Sequence, residues 1–113
     1  MAVELTHDGD YFLCVIYKEY KARKEEGKQE KDARDFARFE QWEHLFSEMP
    51  PETMQAAQTE CCKTFHMKSY LRNSFILSDE AIRYMEQRFP RGVSQILDHV
   101  SKLALPFLSL LKP

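Results

Sequence analysis

The pair Pro50-Pro51 constrains this chain more than any other feature of its sequence. A residue before proline is pushed out of the helical region, whereas proline at the first helical position costs nothing, so one element ends before Pro50 and a helix starts near Pro51. Met54, Ala57, Cys61 and Phe65 then mark the buried side of that helix, and Gln55, Gln58, Thr59 and Lys63 are expected on its other faces.

Upstream, Thr6 is the expected N-cap of a first helix, with Asp8 and Asp10 in a first turn that favours negative charge and Gly27 as terminator. Leu13, Ile16, Tyr17 and Tyr20 follow the i, i+3, i+4, i+7 rule with Phe12 and Val15 beside them, while Lys18, Lys21 and Lys24 ride the polar side. The mixed-charge run Lys21 to Arg38 fits a solvated linker or the exposed face of a second helix, and the small stripe of Ala33, Phe36 and Ala37 favours the helix. Phe39, Trp42 and Phe46 prolong that pattern less regularly, and residues 39–49 fit a helix or a loop.

Downstream, Met67 to Leu71 and Ser74 to Leu77 read as two short strands about a turn at Arg72-Asn73, because asparagine accepts positive φ. Ser78 is a good N-cap for a fourth helix with Asp79 and Glu80 in its first turn, Ile82, Met85 and Phe89 inward, and Pro90 as its limit. After Gly92, the residues Val93, Ile96, Leu97, Val100, Leu103, Ala104 and Phe107 form a wide apolar stripe, with Pro106 expected to kink or end the helix.

The 113 residues are one domain's worth of chain, and 43% hydrophobic content is enough to bury a core. A net charge of −2 excludes a polycation of the histone type, yet the charge is uneven. Residues 1–60 hold eight basic and fourteen acidic side chains, and residues 61–113 hold eight basic and four acidic ones. Three cysteines, Cys14, Cys61 and Cys62, have no disulfide-framework spacing, which points to a reducing cytoplasm. The N-terminus lacks the pattern of a signal peptide, and Leu103 to Leu111 is too short to span a bilayer.

The order helix, helix, helix, short hairpin, helix, together with Phe75-Ile76-Leu77-Ser78-Asp79-Glu80-Ala81-Ile82-Arg83-Tyr84-Met85-Glu86, resembles small bacterial winged-helix proteins, in which an apolar strand runs into Leu-Thr/Ser-acidic and a closing helix. The resemblance implies a mainly α fold with a short two-stranded β-hairpin, a winged-helix-like domain over residues 1–90 and an extra C-terminal amphipathic helix over 91–113. It also implies a DNA-binding transcriptional regulator. The third helix would lie in the major groove with Gln55, Gln58, Thr59 and Lys63 near base edges, and Lys68, Arg72 and Asn73 would meet phosphate. Glu52 and Glu60 lie on the same helix, and they keep open an alternative from another class, a non-enzymatic protein-interaction module on the same fold.

Ile96, Leu97, Val100, Leu103 and Phe107 are the candidate homodimer seam, the other expectation being that this helix packs on its own domain. Cys62 and His66 are four apart on one helix, but no second ligand pair at recognisable spacing accompanies them, so no metal and no cofactor is expected. Cys61 is expected to pack as a small hydrophobe and Cys62 to be a partly exposed thiol. No nucleophile elbow, phosphate loop or dinucleotide fingerprint is present, and no catalytic residue is assigned.

Overall fold

The computed structural model of the chain describes residues 3–69 and 72–110, with side chains described as far as Leu103 in the last helix. The fold is mainly helical with one small antiparallel sheet, in the order α1 (His7–Glu25), α2 (Glu30–Ala33), β1 (Asp35–Phe36), α3 (Phe39–Trp42), a 3-10 turn (Glu43–Phe46), α4 (Pro51–Thr64), β2 (Phe75–Ile76), α5 (Asp79–Arg88) and α6 (Val93–Leu110).

Helix α1 starts where the sequence places it. The Thr6 hydroxyl accepts the Gly9 N–H at 3.1 Å, and Gly27, at φ +93°, takes the chain out of the helix. The expected inward stripe understates its role, because every residue from Tyr11 to Tyr17 is buried. Helix α1 is the axis of the molecule, with α4 and α6 as its main neighbours and α2 and α5 in lesser contact.

The expected second helix over Lys21 to Arg38 is corrected. Helix α1 ends at Glu25, α2 is a single turn, and Phe36 belongs to a strand. Phe36 sits inside while Asp35 and Ala37 stay out, so a period of two is at work where a helical stripe was read. Residues 39–49 fold as a helical turn, the 3-10 turn and a loop that bury Trp42, Phe46 and Met49.

Strand β2 pairs with β1, forty residues away in sequence, in the register Asp35 with Ile76 and Phe36 with Phe75. Of the expected strand Met67 to Leu71, the described residues form one isolated antiparallel bridge to β2, in which the Ile76 N–H donates to the Lys68 carbonyl at 3.0 Å. Tyr70 and Leu71 lie outside the described residues. Phe36 and Phe75 stack at 5.1 Å, Phe12 stacks on Phe46 at 4.9 Å, and the Trp42 indole N–H donates to the Phe36 carbonyl at 3.1 Å in the centre of this aromatic core.

Ser78 caps α5 as expected, accepting the Ala81 N–H while its hydroxyl donates to the Phe65 carbonyl at 2.7 Å. Helix α6 continues through Pro106 to Leu110, so of the two expected outcomes, a kink or an end, the helix does not end there: one proline removes one backbone hydrogen bond. Among the described residues no helix is long and apolar enough to cross a membrane.

Candidate nucleic-acid interface

Helix α4 begins at Pro51 and buries Met54, Ala57 and Cys61 against α1, with Phe65 buried just past its end. Its opposite edge borders Met67, Ser69 and Arg72. Between the two runs a groove of about 590 Å³ to which Gln55, Gln58, Thr59, Lys63 and Arg72 all contribute. Five of the seven residues expected to read DNA are thus brought together. Asn73, at φ 59° as its turn role requires, lines an adjoining cleft of about 710 Å³ that shares Gln55 and Arg72 with the groove. Lys68 is exposed at its isolated bridge to Ile76 but does not line either space.

Gln58 departs from expectation: it is 2% exposed and not available on the surface. The reason is in the spacing, since Met54, Ala57, Gln58 and Cys61 stand at i, i+3, i+4 and i+7, which puts the amide in the core stripe. Reading position before polarity finds it. Its Oε1 and those of Gln55 (Oε1) and Asn73 (Oδ1) are buried acceptors without a hydrogen-bond partner among the described residues, and all three belong to this groove or its adjoining cleft.

The cations sort into two groups. Lys63, Lys68 and Arg72 are exposed and form no ion pair among the described residues. Arg88, by contrast, is spent inside: it donates to both carboxylate oxygens of Asp10, and its Nη2 lies 2.8 Å from His99 Nε2. The acids sort as well. Glu60 turns to α1, where its carboxylate accepts from the Thr6 N–H at 2.8 Å and from the Thr6 hydroxyl at 2.6 Å, whereas Glu52 is exposed at the start of α4.

Cys61 is fully buried, its thiol donates to the Gly9 carbonyl at 3.3 Å, and burial raises its pKa. Burial also pushes the half-buried Cys62 thiol up to about 11, so neither is a thiolate near neutrality. His66 does not approach a cysteine ligand set. Its Nδ1 lies 3.0 Å from Glu80 in solvent.

A different trio, Asp10, Cys14 and His99, comes together where α1 and α6 meet, with ligand atoms within 4.8 Å of one another. Sequence spacing could not find it, because His99 lies 89 residues from Asp10. The Arg88 guanidinium already supplies the positive charge there. Burial would raise the Asp10 carboxyl, but the bonds from Arg88 and His99 outweigh it and hold the group below its ordinary value. Burial and the Asp10 charge push the Cys14 thiol up to about 12. Asp10 on α1, Arg88 on α5 and His99 on α6 thus form a polar network that clamps α5 and α6 to α1.

On the expected dimer seam, Ile96 is fully buried in the chain's own core, and Val100 and Leu103 pack partly against it. Leu97 is 44% exposed, and the Phe107 side chain lies outside the described residues. No protein-family model, no curated protein and no solved structure matches the chain.

Proposed function

We propose that this protein is a non-enzymatic, duplex-DNA-binding regulator of the winged-helix type, with α4 as the recognition helix and Lys68, Arg72 and Asn73 as the wing residues. The order of elements supports this reading, in particular a short strand between the first and second helical units that pairs with the strand following the wing. The observation that carries it is basic: Lys63 and Arg72 on the groove, and Lys68 next in sequence to Met67 of its wall, are exposed without ion-pair partners among the described residues, while Glu60 is withdrawn to cap α1. Thr59 and Lys63 on the exposed edge of α4 then face the bases, and Lys68 and Arg72 face phosphate. Gln58 supports the groove from beneath. The regulator works as a homodimer, with the exposed Leu97 on the free edge of α6 as the contact; Leu97→Glu converts dimer to monomer in light scattering, and a wild-type monomer removes this part of the proposal.

The test is a gel-shift titration on mixed-sequence duplexes at low salt, with wild type, Lys63→Glu and Arg72→Glu. The wild type forms a complex and each charge reversal weakens it. No wild-type complex on any duplex overturns the reading. A second reading, a protein-docking module, has its own observation: the adjoining cleft exposes Phe39 in part beside Glu40 and Glu43, and the chain has no Lys or Arg from Phe39 to Cys62.

A further inference from the structure

We infer that Asp10, Cys14 and His99 form a binding site for a zinc-class divalent cation where α1, α5 and α6 meet, a site for which the Arg88 guanidinium competes. The inference is independent of the duplex reading and uses none of its residues.

Zinc takes thiolate, imidazole and carboxylate ligands, at about 2.3 Å for sulfur and about 2.0–2.2 Å for nitrogen and oxygen. All three donor types stand here together. Asp10 and Cys14 are one turn apart on α1, and the sulfur lies 3.6 Å from Asp10 Oδ1. His99 reaches in from α6, with its Nε2 3.0 Å from Asp10 Oδ2, and the three ligand atoms fall within 4.8 Å of one another. Ligand atoms around a tetrahedral zinc stand about 3.4–3.6 Å apart at those bond lengths, which the separations from Asp10 bracket. The Cys14 side then has to approach His99 by no more than about 1.2 Å.

A hydrogen-bond conflict points the same way. His99 Nε2 lies 2.8 Å from Arg88 Nη2, a donor, and 3.0 Å from Asp10 Oδ2, an acceptor. One ring nitrogen either accepts or donates, so one of these two contacts is unfavourable in every protonation state. A metal cation in place of the guanidinium removes the conflict, because the Nε2 lone pair and the carboxylate both donate to it. Arg88 has somewhere to go: its side chain is 26% exposed, and the guanidinium already lies 5.0 Å from the Phe89 ring and 5.9 Å from the Tyr84 ring. The charges also balance. On coordination the Cys14 S–H bond breaks, a sulfur–metal bond forms and the proton leaves to solvent, so that thiolate and Asp10 carboxylate neutralise the ion.

The experiment is a titration of the reduced full chain with Co2+ as a spectroscopic probe, followed by Zn2+ in competition with a chromophoric chelator. Co2+ is expected to give a thiolate-to-cobalt charge-transfer band in the near ultraviolet, which one equivalent of Zn2+ displaces. Zinc affinity should rise at least about tenfold per pH unit, as release of the thiol proton requires. Arg88→Gln should bind zinc at least about tenfold more tightly, which a purely structural role of Arg88 does not produce. Cys14→Ser should abolish the band and Cys62→Ser should keep it, with circular dichroism reporting whether each variant folds.

No band in the wild type, a band lost in folded Cys62→Ser but kept in Cys14→Ser, or zinc affinity that does not increase in folded Arg88→Gln overturns the inference. If Arg88→Gln does not fold, the wild-type band and its loss in Cys14→Ser decide. If Cys14→Ser does not fold, His99→Gln takes its place at a partly exposed position: zinc weakened at least about tenfold supports the site, and unchanged affinity overturns it.

Discussion

Replacing Asp10 by Asn tests whether the polar network at the junction of α1, α5 and α6 holds the C-terminal helix in place. The Asp10 side chain is 14% exposed and Arg88 26%, so the pair lies between a surface ion pair and a buried one. Breaking a fully buried pair costs about 3–5 kcal/mol and losing a surface one under about 1 kcal/mol; the intermediate exposure gives about 2 kcal/mol here. In a domain of this size that corresponds to a melting temperature lower by roughly 8 °C. Asn keeps the shape and one acceptor, so the loss reports charge.

The pH dependence has a definite sign. The folded Asp10 carboxyl is held below its reference value of 3.8, so its contribution is complete above that pH and is lost as pH falls through the lower folded value. Wild type and variant therefore differ most at neutral pH and converge below about pH 4. Urea unfolding followed by the fluorescence of Trp42, the chain's single tryptophan and fully buried, reads both quantities. A variant within about 0.5 kcal/mol of wild type at neutral pH, or a gap unchanged in acid, refutes the reasoning.

Three further outcomes follow from local geometry. Gly9→Ala would gain roughly 1 kcal/mol from helix propensity alone, but a Cβ there lies 2.3 Å from the Glu60 Oε1, so the carboxylate must swing aside and give up its bonds to Thr6, and most of that gain is expected to be lost; in a Glu60→Ala background the same change should show the full gain, and thermal melts of the two pairs check this. Ser78→Ala removes both the α5 cap and the bond to the Phe65 carbonyl, and should cost about 1–2 kcal/mol in urea denaturation. Arg23→Leu withdraws a buried guanidinium that lies 4.3 Å over the Phe36 ring and donates to the Asp35 carbonyl at 2.7 Å; a loss of about 2 kcal/mol in the same assay is expected.

The helices that carry their own boundary chemistry were legible in the sequence. Thr6, Pro51 and Ser78 mark the starts of α1, α4 and α5 through local bonds or fixed φ, and Gly27 and Asn73 sit at positive φ where the chain turns. What depended on distant partners was not. Asp35-Phe36 is a strand because Phe75-Ile76 lies beside it, and nothing within ten residues of Phe36 announces that pairing. Likewise Arg88 is held by Asp10, 78 residues away, a pairing that no local pattern announces. The α4 groove was partly visible, since five of its residues were singled out from one helix face and one turn. The burial of Gln58 was missed because its polarity was weighed above its place in the stripe.

The most direct test of the account is the salt dependence of duplex affinity, measured by fluorescence anisotropy between 50 and 200 mM salt. Two phosphate contacts, from Lys68 and Arg72, give a slope of about −1.8 in log K against log salt per protomer, which weakens binding roughly 12-fold over that range. Replacing Arg72 by Gln should reduce the slope by about 0.9. A slope near zero, or one that the Arg72 variant leaves unchanged, would contradict the assignment of this surface to DNA.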